Sequence, residues 1–381
     1  MDKRRLPEIS LSIHNFIGSS ALSLLFCLLS PSDYGLHASK DSLFDLKIFI
    51  RFYKLDKTFD MKFNVFLSLK YARLIPSIAG IALTFLFLIS IADAKNTQTL
   101  AQNDYDLQEI RAGVYVISAN GYNVMFLTTG EGVVVVDAPP NIGDKIFKAI
   151  SEVTDEPVKY LVYSHAHRDH IGAAHLFQPG IEIIAEKNTA DILATANDTK
   201  RPIPTTTFAD NTTLTFGNKT LQLTYPGQYH QRGNIFIYNP EQKVLMAVDQ
   251  LAPGDVPWKH LAATPEVPAL MRSYDQVLGY EFDVYVPGHG KLGTKEDINL
   301  QKEYVTDLKN NSQFAVNNIN FTQVTENIDK QNNAAVTEAY FNALTNVCVD
   351  KTEEKWEGRL QGVGVWTDEH CEKMIQSVLV D

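Results

Sequence analysis

The sequence VKYLVYSHAHRDH, residues 158–170, decides the fold. Its first seven residues follow the pattern of a strand. Its last six contain three histidines and one aspartate, side chains that bind zinc and related ions in proteins. A loop of ordinary hydrogen-bonded histidines is the alternative, but four such side chains within six residues favour a metal site. The sequence therefore predicts metal ligands at the end of a strand.

The spacing of these four side chains predicts two metal positions. While the backbone is extended, His165 and His167 project to the same side of the strand. A helix that begins near Ile171 then brings Asp169 and His170 back toward a second point. One short segment can therefore serve two metal ions.

Three further candidate ligands occur at strand ends or turns outside this segment. His230 lies in YPGQYHQRGNIFIY, Asp249 ends the apolar run VLMAVD, and His289 lies in VYVPGHG. Isolated histidines and aspartates are common in such places, so each alone carries little weight. With the first four they make five histidines and two aspartates, a set that suits two ions sharing a bridging carboxylate and a bridging water.

Short strands are predicted on both sides of this segment. Residues 113–138 contain β-branched runs broken by Asn-Gly and Gly-Glu-Gly, which predict successive antiparallel strands. Residues 142–153 show helical spacing, and residues 181–185 predict a strand. Between residues 205 and 250 the runs LTF, LQLTYPG, NIFIYN and KVLMAVD predict strands again. This order predicts a layered α/β domain, which we place at residues 95–299.

The remainder of the chain, residues 300–381, is predicted to be a helical C-terminal extension. Residues 295–308 have helical propensity, and residues 309–333 are rich in Asn and Gln. Five apolar side chains further on share one helical face: Val336, Tyr340, Ala343, Leu344 and Val347.

The first 94 residues are a different kind of polypeptide. They hold 11 Lys and Arg against 8 Asp and Glu, whereas the other 287 hold 23 against 37. The uncharged run 74–92 follows basic residues and ends in the tripeptide Ala-Asp-Ala, which predicts a signal peptide at 61–94 cleaved after Ala94. A membrane anchor through 74–92 is the alternative. Residues 1–60 are then a leader or an extension of the gene model that precedes a natural start at Met61.

Export also bears on the oxidation state of the cysteines. Cys27 lies in the leader, so a periplasmic, extracellular or outer-face protein keeps only Cys348 and Cys371. An even number in an oxidising compartment predicts a disulfide. Closing a loop of about 24 residues would stabilise the chain by roughly 3 kcal/mol in the chain-entropy model. Two separate buried thiols are the alternative.

The overall charge bears on the partners. The net charge is -11, and nucleic-acid affinity depends on clustered Lys and Arg. We therefore exclude nucleic acid and expect a small-molecule substrate, with a membrane tether only if the anchor is retained.

The motif H-x-H-x-D-H, followed by His230, Asp249 and P-G-H-G, resembles the metallo-β-lactamase superfamily over residues 105–295. The resemblance implies an αββα sandwich of two central sheets with helices outside and the metals at one edge. It also implies two ligand sets with one bridge. One ion would be bound by His165, His167 and His230, and the other by Asp169, His170 and His289. Asp249 would bridge the two ions.

Within this superfamily the pattern is most similar to the glyoxalase II and lactonase group, which keeps all seven ligands. Lactamases commonly carry Cys or Ser where Asp249 stands, the diiron oxidoreductases place Glu where His167 is found, and nuclease members add an inserted domain and a basic surface. The resemblance implies an exported hydrolase with two Zn²⁺ ions that cleaves a carboxylic ester, lactone or related acyl bond by a metal-bridged hydroxide. Asp169 would orient the attacking water or carry its proton. The alternatives are a β-lactamase or thioester hydrolase of the same fold, and a mononuclear iron persulfide dioxygenase.

Other polar side chains near the motif are interpreted as structural. Packing or surface exposure is favoured over catalysis for Tyr163, Arg168 and Tyr229. We predict that His175 is buried and that His370 lies on the surface. A position at the mouth of the pocket, near Trp258, is the less favoured interpretation for His260.

Overall fold

The computed structural model describes residues 104–381. The predictions for the leader, the signal or anchor, the start at Met61 and Cys27 lie outside the described residues. Within the described range, no helix combines the length and the apolar character needed to cross a membrane.

The first sheet has seven strands that lie side by side in chain order. They are β1 (Asp106–Arg111), β2 (Val114–Ala119), β3 (Tyr122–Thr128), β4 (Val133–Val136), β5 (Val158–Val162), β6 (Glu182–Glu186) and β7 (Thr206–Phe208). The pairs from β1 to β4 are antiparallel, which confirms the prediction for residues 113–138. The pairs from β4 to β7 are parallel. Parallel neighbours need crossovers, and two of these contain the helices α1 (Lys145–Val153) and α3 (Lys187–Ala196).

The second sheet has five strands in the order β12-β11-β10-β9-β8. They are β8 (Asn211–Phe216), β9 (Lys219–Thr224), β10 (Phe236–Asn239), β11 (Val244–Ala247) and β12 (Val284–Val286). The four apolar runs predicted between residues 205 and 250 correspond to β8, β9, β10 and β11. All pairs are antiparallel except β11 with β12.

The two sheets pack face to face through their apolar side chains. Buried residues from both sheets, such as Met125, Val134, Leu221, Ile237 and Met246, form one cluster between them. A second cluster joins the outer face of the first sheet to α1 and α3, and a third joins the outer face of the second sheet to the C-terminal helices. The layers therefore run helix, sheet, sheet, helix, which confirms the αββα sandwich.

The C-terminal part is helical, as predicted. Its helices are α5 (Lys295–Asn318), α6 (Phe321–Val324), α7 (Asn333–Trp356) and α8 (Thr367–Val380). The helix α4 (Val267–Leu278) lies earlier in the chain, between β11 and β12. The structure contains the predicted disulfide between Cys348 of α7 and Cys371 of α8, with the two Cα atoms 5.8 Å apart. The division of the chain between residues 299 and 300 stays a prediction.

Two predictions about histidines were wrong. His370 is buried, because the face of α8 that carries Cys371 and Met374 packs into the core, and its Nδ1 lies 2.9 Å from the Tyr304 hydroxyl. His175 is exposed. The helix predicted to begin near Ile171 begins three residues earlier: α2 (Arg168–Ile171) contains the last part of the motif and ends before His175, which lies on a separate short 3₁₀ turn, Ala174–Leu176.

Candidate metal centre

All seven predicted ligands lie at one edge of the two sheets, on loops or on the short helix α2. The loop after β5 carries His165 and His167, and α2 carries Asp169 and His170. The β9–β10 loop carries His230, and the loops after β11 and β12 carry Asp249 and His289. The ends of neighbouring parallel strands meet at the same edge of a sheet, so ligands far apart in sequence converge there.

The ligand atoms fall into two groups. We call the first the inner group: His165, His167, His230 and Asp249. The second is the outer group: Asp169, His170 and His289. Within each group, one ligand atom from every member lies within 4.8 Å of the others. The seven side chains thus form two clusters in the structure, and their role as metal ligands stays a prediction.

Asp249 lies between the two groups. Its Oδ2 is 3.2 Å from His230 Nε2 in the inner group and 3.1 Å from His170 Nε2 in the outer group. Its Oδ1 is 3.3 Å from His289 Nε2. One carboxylate thus contacts imidazoles of both groups, which is the position that a bridging ligand needs.

The residues of the centre fit metal ions. His165 Nε2 is buried and makes no hydrogen bond, although leaving such an atom without a partner costs about 1–3 kcal/mol. His167 Nδ1 faces His230 Nε2 at 3.0 Å, and His170 Nε2 faces His289 Nε2 at 3.1 Å. Imidazole nitrogens that converge in this way around a carboxylate match the donor set of zinc and similar cations.

A buried hydrogen-bond chain fixes the ring of His165. The Ser164 hydroxyl donates to Asp137 Oδ2 at 2.6 Å, so its oxygen is free to accept from His165 Nδ1 at 2.9 Å. His165 therefore carries its hydrogen on Nδ1, and Nε2 presents a lone pair to the centre. Asp137 also lies 3.9 Å from His170 Nδ1, so one carboxylate supports both groups.

Burial favours the neutral form of two inner imidazoles, His165 and His167. Burial lowers the pKa of His167 to about 4, and burial also holds the pKa of His165 well below its usual value. Burial lowers the pKa of His170 as well, but the carboxylates of Asp249, Asp137 and Asp169 together outweigh it and raise that pKa to about 9. A neutral imidazole is the form that binds a metal ion.

Two side chains beside the outer group were not predicted from the sequence. The Tyr122 hydroxyl lies 3.5 Å from Asp169 Oδ2, and its ring meets the His289 ring edge-on at 4.4 Å. The side chain of Asn123 donates to the carbonyls of Pro287 and Gly290 and so holds the loop that carries His289. Both residues follow the tight turn between β2 and β3. Their pairing with the loop after β12 spans more than 160 residues, so no local pattern reveals it.

The polar side chains near the motif that were interpreted as structural make contacts with other parts of the protein. The hydroxyls of Tyr163 and Tyr229 are buried and donate to the carbonyls of Pro202 and Val248. Arg168 is exposed and pairs with Asp198. His260 is exposed beside Glu369, near Trp258.

Comparisons with known proteins agree with this geometry. A family model described as the metallo-beta-lactamase superfamily matches residues 118–289. The chain is 27% identical over 194 residues to the 2,4-dinitroanisole O-demethylase subunit alpha of Nocardioides sp. (strain JS1661), covering 48% of this chain and 56% of that protein. It is 30% identical over 140 residues to a metallo-beta-lactamase type 2 of Elizabethkingia meningoseptica, covering 35% and 53%. The chain therefore spans little more than half the length of these curated relatives.

A solved structure is also similar. The metallo-beta-lactamase from Pontibacter korlensis aligns with a TM-score of 0.46 at 24% sequence identity, over 52% of this chain and 97% of that one.

Proposed function

We infer that residues 118–289 form a metallo-β-lactamase superfamily domain, because a family model of that description matches them, and members of this superfamily are metal-dependent hydrolases that typically bind zinc. We propose that the protein is an exported hydrolase with two zinc ions that cleaves a carboxylic ester, lactone or related acyl bond. The position of Asp249 between the inner and outer groups carries the proposal, because one carboxylate shared by two sets of imidazoles suits a pair of cations.

The seven ligands would divide the work between two ions. The inner group would hold the first ion in a buried position, and the outer group would hold the second nearer to solvent, with Asp249 shared. When bound, the zinc ions would lower the pKa of a coordinated water toward about 7 and polarise the substrate carbonyl.

Asp169 is the candidate for proton transfer. Its Oδ2 lies 3.4 Å from His170 Nε2, and its side chain is half exposed on the open side of the centre. A carboxylate in this position can accept a proton from the attacking water and return it to the leaving group. The hydroxyl of Tyr122 lies near the same oxygen, 3.5 Å away, and can orient it by donating a hydrogen bond.

Purified protein tests the proposal by metal analysis and a substrate panel. The panel contains a lactone, a carboxylic ester, a thioester and a β-lactam. It also contains a nitro-substituted aryl methyl ether, because one relative is named as a 2,4-dinitroanisole O-demethylase. We expect two zinc ions per chain and fastest cleavage of the lactone or ester.

The same experiment separates the alternatives. Preferred cleavage of the β-lactam, the thioester or the aryl ether would replace the proposed substrate class. One iron per chain with oxygen uptake on a persulfide would replace the hydrolase by a dioxygenase.

Export is proposed on separate grounds. The basic residues, the uncharged run 74–92 and the Ala-Asp-Ala tripeptide support a cleaved signal, and the disulfide between Cys348 and Cys371 suits an oxidising compartment. N-terminal sequencing of the native protein should begin at Lys95. Recovery of peptides from residues 2–50 would contradict both the start at Met61 and the cleavage.

A further inference from the structure

One turn of left-handed helix lies between β11 and α4. Its four residues have positive φ angles: His260 (50°), Leu261 (58°), Ala262 (57°) and Ala263 (50°). None is glycine, and a left-handed turn brings Cβ too close to the next carbonyl oxygen in L-residues. Such a conformation persists only where the surrounding structure holds it, and it often marks a functional site.

The left-handed turn contacts the metal centre through one carbonyl group. The oxygen of Ala262 lies 2.5 Å from His230 Nδ1. A carbonyl can only accept, so Nδ1 must carry the hydrogen and Nε2 must carry the lone pair. That lone pair faces His167 Nδ1 at 3.0 Å and Asp249 Oδ2 at 3.2 Å. The turn thereby decides which nitrogen His230 offers to the inner group.

The C-terminal helices hold the left-handed turn through Glu369, at the start of α8. Glu369 Oε1 lies 3.3 Å from Lys259 Nζ, and Oε2 lies 3.7 Å from His260 Nε2. Leu261 is fully buried in the cluster that also contains Met374 and Ile375 of α8. One face of the turn is therefore packed against α8, and Lys259, just before the turn, forms an ion pair with α8.

The backbone just before the left-handed turn is held as well. Val256 N donates to the carbonyl of Gln361 at 2.9 Å, and Gln361 N donates to the carbonyl of Gly254 at 3.0 Å. The side chain of Gln301, on α5, donates to the carbonyl of Asp255 at 3.0 Å. The segment from Gly254 to Ala263 thus depends on residues of the C-terminal region for its conformation.

We propose that the C-terminal helices are a positioning element of the metal centre. They hold the left-handed turn in a disfavoured conformation, and the carbonyl of Ala262 then fixes the ring of His230 with Nε2 toward the inner group. Ala262 and Glu369 are positioning residues that touch neither substrate nor reacting atoms. The inference rests on the proposed metal centre, because it takes His230 as a ligand.

The tautomer of His230 in metal-free protein gives the first test. Long-range ¹H–¹⁵N correlation spectra of wild-type protein at pH 7.5, with His230→Gln for assignment, report which ring nitrogen carries the hydrogen. We expect hydrogen on Nδ1 of His230. Hydrogen on Nε2 would overturn the proposal, since the carbonyl of Ala262 would then not be bonded to the ring.

Zinc affinity gives the second test. Glu369→Gln removes the charge that pairs with the segment before the turn, and Glu303→Gln is the matched control, because Glu303 pairs with Lys355 and Arg359 within the C-terminal region. Outer contacts of a metal ligand change affinity by about 10-fold to 100-fold, so we expect Glu369→Gln to weaken zinc binding about 10-fold in a chelator competition. The absorption spectrum of its cobalt-substituted form should also change. The control should leave both unchanged.

The outcomes separate this inference from the proposed function. Equal zinc affinity and equal cobalt spectra in Glu369→Gln and Glu303→Gln would overturn the positioning role. A wild-type protein that binds no zinc would contradict the proposed function, and hydrogen on Nδ1 in that protein would still support the positioning of the ring by Ala262.

Discussion

The inner and outer groups of the metal centre are built from the same residue types but differ in their surroundings. The side chain of His165 is 0% exposed, whereas those of Asp169 and His289 are 48% and 37% exposed. Ser164 and the carbonyl of Ala262 fix rings of the inner group. In the outer group, His170 is buried, whereas Asp169 and His289 contact the side chain of Tyr122 and are partly exposed. The difference makes Asp169 and His289 the more solvent-accessible side of the centre.

The largest expected effect comes from removing an inner ligand. His165→Ala should lower kcat/KM on the best panel substrate by more than about 100-fold, because even outer contacts of metal ligands are worth about 10-fold to 100-fold. The measurement is steady-state kinetics with metal content determined on the same samples. His175→Ala, an exposed histidine outside the centre, is the control and should keep wild-type activity. Full activity in His165→Ala would contradict the distinction between the inner and the outer group.

A pH effect on stability tests the support of the inner group by α8. Burial lowers the pKa of His370 to about 4, so the unfolded chain binds the proton more readily below about pH 6.5. The stabilisation is complete above that pH and is lost as the pH falls toward 4. Between pH 7.5 and 5 the metal-free protein should lose about 2 kcal/mol from this group. Denaturant unfolding of wild type and His370→Gln measures it, and an equal pH dependence in both would contradict the assignment.

A smaller effect is expected on the outer side. Tyr122→Phe removes the hydroxyl near Asp169 Oδ2, and a hydrogen bond is worth about 1 kcal/mol, so kcat/KM should fall roughly fivefold. Tyr280→Phe is the control, because it removes a hydroxyl bonded to Thr224, outside the centre. Metal content should be unchanged in both variants. Loss of an ion in Tyr122→Phe would show that the tyrosine supports the ligands and does not act in turnover.

The smallest effect concerns the left-handed turn. Ala263 is exposed with φ of +50°, where glycine is tolerated and alanine is strained, so Ala263→Gly should be neutral or stabilise by up to about 1 kcal/mol. The same change in Ala194, an exposed position of α3, should destabilise by about 0.5–1 kcal/mol. Thermal unfolding of both variants measures the difference. Equal destabilisation by both changes would contradict a left-handed conformation at Ala263.

The sequence predicted what depends on residue type and local pattern. The strands from β2 to β5 follow from β-branched runs and turn residues, and the candidate ligands follow from side chains that bind metals. What it missed depends on contacts between distant residues. His370 is buried because α8 packs against Tyr304 of α5, and Tyr122 reaches the centre because its strand pairs with the loop that carries His289.

The left-handed turn was not predicted from the sequence either, because it also depends on tertiary contacts. Positive φ angles are usually indicated by glycine or asparagine, and residues 260–263 contain neither. Packing of Leu261 and the charge of Glu369 hold the turn, and both depend on tertiary structure.

Zinc titration of the metal-free protein, followed by chelator competition, tests the central claim most directly. Seven ligands in two groups that share Asp249 predict two zinc ions per chain, with the ion of the inner group bound more tightly. Asp249→Ala should reduce the affinity for both ions, since its carboxylate contacts both groups. Fewer than two ions in wild type, or two ions bound with unchanged affinity in Asp249→Ala, would contradict the account.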